Sequence, residues 1–163
     1  VIILGIDPGT AITGYGVVEA RERRLQALDY GSITTPATLD LPQRLLELHR
    51  ALSKIIGLWQ PEGVAVEELF FNRNTRTAMA VGHARGVILL AAAQSGIPAW
   101  SYKPPEVKQA VVGYGKAEKR QVQEMIKLLL QLPVVPTPDD VADALAVAIC
   151  GAHTLGTLNS RRG

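Results

Sequence analysis

Residues 141–152 form a run that is apolar on nearly every side of a helical wheel, broken by one charge at Asp143. A helix without a polar face has to be buried, and in a chain of 163 residues that calls for one core large enough to enclose it. The whole of 1–163 is accordingly read as a single domain. Asp143 then becomes a carboxylate in an interior, where an uncompensated charge is strongly unfavourable. No lysine or arginine lies within 137–152 to pair with it, so a bound cation is the economical partner.

The rest of the chain supplies the enclosing elements. The opening Val1-Ile2-Ile3-Leu4-Gly5-Ile6 is β-branched and apolar, and Asp7-Pro8-Gly9-Thr10 supplies the turn that ends it. Residues 13–20 and 25–35 read as two more strands around a charged turn at 21–24, giving an antiparallel meander. Leu41, Leu45, Leu48, Leu52, Ile55, Ile56 and Trp59 recur at helical spacing, with Gly57 and Pro61 marking the end of that helix. Strands at 63–68 and 98–102 flank a helix over 74–94, and helices at 117–130 and 138–152 follow. The expected fold is α/β: a mixed five-stranded sheet, three strands in an antiparallel meander plus two parallel strands, with helices on both faces.

Charge distribution narrows the classes of partner. From Phe71 to Lys127 there are nine basic and three acidic residues, a local balance of +6 within a chain of net charge +2. A basic segment beside an acidic remainder fits phosphate backbones contacted next to a separate acidic cluster. The longest wholly apolar stretch, near 86–93, falls far short of a membrane span, and no basic segment precedes an apolar signal core, so no membrane partner and a cytoplasmic location are expected. A single cysteine, Cys150, leaves no internal disulfide and no thiolate metal cluster; it reads as a small buried side chain.

The acidic residues are the chemically informative ones. Asp7 ends an apolar strand, where it either accepts from the amides of its own turn or faces a compensating cation. Glu67 and Glu68 end the fourth strand, and alternation allows only one of them to share the face of Asp7. Thr137-Pro138-Asp139-Asp140 reads as a helix start, with Thr137 as N-cap, Pro138 at the first helical position and acids in the positive first turn. Asp140 and Asp143, three residues apart, can face one point. Converging carboxylates without cysteine or histidine favour a hard divalent ion, Mg²⁺ or Mn²⁺, over zinc. Two such ions roughly 4 Å apart suit phosphodiester hydrolysis. His49, His83 and His153 fall in predicted helices and read as packing or surface residues.

Taken in order, Gly5-Ile6-Asp7-Pro8-Gly9-Thr10, Thr13-Gly14-Tyr15-Gly16-Val17, Ala65-Val66-Glu67, Glu118-Lys119 and Asp140-Val141-Ala142-Asp143-Ala144-Leu145-Ala146 resemble the bacterial RuvC Holliday junction resolvases. The resemblance runs from Val1 to about His153. It implies an RNase H-like fold and a Mg²⁺-dependent endodeoxyribonuclease, a homodimer that nicks two opposed strands of a four-way junction in DNA recombination and repair. It also implies work beside the branch-migration proteins RuvA and RuvB. It selects Glu67 over Glu68, and makes Asp7, Glu67, Asp140 and Asp143 the catalytic, metal-holding set. DNA contacts are assigned to Phe70, Phe71, Arg73, Arg76, Lys108, Lys116 and Lys119, with Phe70 engaging bases at the branch point; the alternative for Phe70 and Phe71 is closing the core. Ala78, Gly82 and Gly86, a small-residue stripe, are expected at the dimer interface rather than against the chain's own sheet.

Two rival readings share some of these features. An actin-like or sugar-kinase-like phosphotransferase also uses an Asp-Gly-Thr hairpin, but needs a second related domain for which this chain has no room. A junction-binding module without chemistry would not need the complete carboxylate set.

Overall fold

A computed structural model describes residues 1–68 and 75–160, the last four by backbone alone. Its element order is β1 (Ile2–Asp7), β2 (Ile12–Arg21), β3 (Arg24–Thr34), α1 (Leu41–Trp59), β4 (Gly63–Glu67), α2 (Thr75–Gln94), β5 (Ala99–Tyr102), α3 (Pro104–Val112), α4 (Lys119–Leu129) and α5 (Asp139–Ser160). The sheet runs β3-β2-β1-β4-β5. Pairing is antiparallel for β1–β2 and β2–β3, parallel for β1–β4 and β4–β5, which is the mixed sheet expected from the sequence. The β2–β3 hairpin turns on Glu22 and Arg23, both at positive φ (48° and 72°), the backbone twist that suits a two-residue hairpin.

Alternation along the strands sorts the core into two layers. Leu4, Ile6, Val17, Val64 and Val66 face α1 and α2. On the other face Ile3, Val18 and Ala65 meet α5, whose far side is covered by α3 and α4. That sandwich explains why α5 has no polar side: Leu145, Val147, Ala148 and Ile149 are all fully buried. Cys150 is buried with them, and burial pushes its thiol up to about 12, leaving it protonated and inert.

Two glycines set how closely α5 lies on the sheet. A Cβ on Gly5 would stand 2.1 Å from the Ala144 carbonyl oxygen, and one on Gly14 would stand 2.0 Å from that of Asp140. Both separations are far inside van der Waals contact, so only glycine lets the helix backbone rest on β1 and β2.

Some boundaries differ from the sequence reading. The helix α3 was not anticipated: it is nine residues long and opens on Pro104-Pro105, which sit in a first turn where missing N–H groups cost nothing. The Lys103 N–H is satisfied by Glu106 Oε2 at 2.6 Å. Gly57 lies inside α1, which ends instead on Gln60 in the left-handed conformation. The last helix starts at Asp139, one residue after Pro138, whose carbonyl accepts the Val141 N–H at 2.9 Å. No helix among the described residues is long and apolar enough to cross a membrane.

Candidate metal centre

Parallel pairing of β1 with β4 puts Ile6 beside Val66, and thus Asp7 beside Glu67 at the same end of the sheet. Glu67 shares the face of Ala65, as Asp7 shares that of Ile3, and both point to the α5 side. Asp143 comes down onto them from α5. One carboxylate oxygen from each of Asp7, Glu67 and Asp143 lies within 4.8 Å of the others, a grouping able to hold a metal ion. Asp7 is buried, only 9% exposed, while Glu67 and Asp143 are half-buried.

Electrostatics record the crowding. Asp7 is pushed up from 3.8 to about 8, first by burial and then by the charges of Glu67, Asp143 and Asp140. Glu67 is pushed up to about 7 by burial and by Asp143, with the charges of Lys119 and Lys108 pulling the other way. Burial also raises Asp143, opposed by Lys119 and by a hydrogen bond with Asp7. Carboxyls raised this far by burial and mutual repulsion, despite the two nearby lysines, mark a site whose acids a bound cation would relieve.

The structure brings together three of the four expected carboxylates. Asp140, in the first turn of α5, stands outside the 4.8 Å grouping, although its charge raises both Asp7 and Asp143. The expectation that Asp143 has no basic partner is corrected. Lys119, at the start of α4, places Nζ 3.9 Å from Asp143 and 3.0 Å from Asp139, and Gln123 donates to Asp139 at 3.3 Å. This lysine, expected only as a DNA contact, comes from another helix, outside the 137–152 segment that holds no basic residue. Asp139, read only as a helix-start acid, is the residue that holds Lys119 at the rim. Its hydrogen bond is the main reason the lysine is raised above 10.5.

Lys108 from α3 joins Glu67, Lys119 and Asp143 around a cavity of about 250 Å³, with Pro104 and Val107 forming its apolar wall. A larger groove of about 700 Å³ between α3 and α4 is lined mainly by Val112, Met125, Leu128 and Leu132. Glu124 and Lys127 also line it, but none of the clustered carboxylates does, and it is not the site. Lys116 is exposed just before α4, and Arg76 is exposed in the first turn of α2. Phe70, Phe71 and Arg73 lie outside the described residues. On α2, Ala84, Ile88, Ala91 and Ala92 face the sheet, whereas Gly82 and Gly86 are exposed with open space where a Cβ would be. The small-residue stripe therefore does not pack on its own sheet. Met79 and Leu90 are exposed on the same helix, at 61% and 53%.

Comparison with known proteins agrees with this arrangement. Residues 3–151 match the family described as crossover junction endodeoxyribonuclease RuvC. A crossover junction endodeoxyribonuclease RuvC from Heliobacterium modesticaldum is 61% identical over 154 residues, 94% of this chain and 95% of that protein. Among solved structures, that of Thermus thermophilus RuvC superposes with a TM-score of 0.88 at 36% identity, covering 96% of this chain and 98% of the other. The T. thermophilus RuvC in complex with a Holliday junction substrate gives the same TM-score at 33% identity, covering 96% of each chain.

Proposed function

The chain belongs to the crossover junction endodeoxyribonuclease RuvC family, and from that premise we propose that it resolves Holliday junctions by hydrolysing phosphodiesters at the Asp7, Glu67 and Asp143 cleft, nicking two opposed strands symmetrically. The observation that carries the site assignment is the approach of three carboxylate oxygens within 4.8 Å, with two of the acids raised to about 8 and about 7. An all-oxygen donor set burdened with mutual repulsion fits a hard divalent cation. Mg²⁺, with Mn²⁺ as substitute, would be held by Asp7, Glu67 and Asp143, and Asp140 adds the fourth charge for a second ion. When bound, such ions polarise phosphate oxygens and ease deprotonation of the attacking water.

The chain's own residues perform the rest. Lys119 and Lys108 line the same cavity as Glu67 and Asp143 and present positive charge beside the acids, where the backbone of a DNA strand would approach. Asp139 holds Lys119 in that position rather than leaving it to sweep through solvent. Arg76 and Lys116, with Phe70, Phe71 and Arg73, extend the DNA surface beyond the cleft; phosphate contacts position the strand, and Phe70 engages unpaired bases. The outward face of α2, with Gly82 and Gly86 flanked by exposed Met79 and Leu90, supports a homodimer. Two sites related by a two-fold axis suit a symmetric four-way substrate. The whole of 1–163 acts as one nuclease domain, working in the cytoplasm beside the branch-migration proteins RuvA and RuvB.

The deciding experiment is cleavage of a synthetic four-way junction, end-labelled on each strand in turn, with Mg²⁺ and with EDTA. Paired nicks on opposed strands that require the metal are expected. Equal cutting of linear duplex, or full activity in EDTA, would remove this reading.

A further inference from the structure

The turn that follows Asp7 is held from outside the carboxylate cluster by a relay of hydrogen bonds. Residues 8–11 carry the chain from β1 to β2. On the inner side the Thr13 hydroxyl bridges Gly9, accepting from its N–H at 3.3 Å and donating to its carbonyl at 2.5 Å. The outer side is held by Thr35, just past β3 and only 7% exposed. Its N–H donates to the Ala11 carbonyl at 3.1 Å, and its hydroxyl donates to the Thr10 carbonyl at 2.5 Å. The same hydroxyl accepts from Arg44 Nε at 2.9 Å, while Arg44 Nη2 donates to the Thr35 carbonyl at 3.2 Å. Arg44 stands in the first turn of α1, whose start is capped by Asp40 accepting the Gln43 N–H at 3.1 Å.

A hydroxyl has one proton. With Arg44 occupying its acceptor side, the Thr35 proton is directed to the Thr10 carbonyl, and a charged donor at the far end strengthens the whole relay. The anchors are also independent of the acids, since β3 and α1 supply none of the clustered carboxylates. Like charges within 4.8 Å push one another apart. Asp7 sits at the end of a strand followed by a four-residue connection, so displacement of that turn carries the Asp7 carboxylate with it.

We propose that Thr35 and Arg44 are positioning residues that pin the turn after Asp7 against this repulsion and thereby set the affinity of the cluster for a divalent cation. The inference rests on the metal-site reading above, and it concerns residues that act through Asp7 rather than on the ion or the DNA.

Mn²⁺ titrations of the full chain test it, read by electron paramagnetic resonance of free Mn²⁺ and by thermal shift. Thr35→Val keeps the shape and removes the donor; the Mn²⁺ concentration for half-saturation should rise about tenfold, the size of one lost buried hydrogen bond. Thr35→Ser should restore the wild-type value. Arg44→Ala, a change to a half-buried side chain that tests the relay even if Thr35→Val folds poorly, should weaken Mn²⁺ binding in the same direction. The double variant should be no weaker than the worse single one, because both changes break one relay. A lower melting temperature with unchanged half-saturation in Thr35→Val and Arg44→Ala would reduce the relay to ordinary loop closure and overturn the proposal. So would a wild type that binds no Mn²⁺. A wild type that binds Mn²⁺ and responds as described, yet leaves junctions uncut, would sink the nuclease reading while leaving this one standing.

Discussion

Neutralising Asp7 should stabilise the metal-free protein. In Asp7→Asn the side chain keeps its size and loses a charge that burial, Glu67, Asp143 and Asp140 all oppose. Moving a carboxyl from 3.8 to about 8, at about 1.36 kcal/mol per unit, bounds the penalty at about 6 kcal/mol. Asp7 also exchanges a hydrogen bond with Asp143, which the amide only partly replaces, so a net gain of about 2 kcal/mol is expected. For a domain of this size that is a rise of roughly 4 to 8 °C in melting temperature. The sign with pH follows from linkage. The folded state holds its proton more tightly than the unfolded state, so wild-type stability falls as pH rises from the ordinary carboxylate range to about 8. The variant lacks this group and should show a shallower decline.

The assay is thermal denaturation of both proteins in EDTA at several values from pH 5 to 8.5, repeated with Mn²⁺. The variant should melt higher at pH 8, the gap should close towards pH 5, and added Mn²⁺ should raise the wild type more than the variant. A variant that melts lower than wild type at pH 8 in EDTA would refute the reasoning, because it would mean that Asp7 is a satisfied hydrogen-bonding residue. A gap independent of pH would refute it equally. The same variant should bind a four-way junction in a gel shift and fail to cut it.

Three further outcomes follow from the packing and the proposed assembly. Gly5→Ala places a methyl 2.1 Å from the Ala144 carbonyl oxygen; lifting α5 should cost about 1–3 kcal/mol in urea unfolding and reduce cutting by widening the carboxylate cluster. Gly82→Leu meets open space within the protomer, so it should leave the melting temperature of the isolated fold nearly unchanged while shifting sedimentation to a monomer; an unchanged dimer would move the interface elsewhere. Phe70→Ala should slow cutting of intact junctions with little effect on thermal stability, whereas a large loss of stability with normal cutting would return Phe70 to the core.

The strand and helix order was legible in the sequence because period and chain breaks are local properties. Alternation and β-branching marked the strands, the 3.6-residue spacing of Leu41 to Trp59 marked α1, and the apolar character of 141–152, interrupted by the single charge of Asp143, required a helix in the interior. The nine-residue α3 escaped because two prolines at its start resemble a break until their place in a first turn is seen. Choosing Glu67 over Glu68 needed either family resemblance or the register of β4 against β1, since alternation only says that one of the two is turned inward.

Sequence alone thus determined which kinds of group meet: acids ending apolar strands and an acid within an apolar helix, a donor set that calls for a hard cation. Tertiary structure decided the distances and the company. It brought Asp7, Glu67 and Asp143 within 4.8 Å and left Asp140 outside that grouping. Lys119 was delivered from α4 to the acids of α5, and Thr35 and Arg44 were set behind the Asp7 turn. Residue type and periodicity are written along the chain, whereas a separation of a few ångströms between elements far apart in sequence depends on how closely backbones pack. Here that closeness rests on the missing Cβ atoms of Gly5 and Gly14, which let α5 settle onto the sheet.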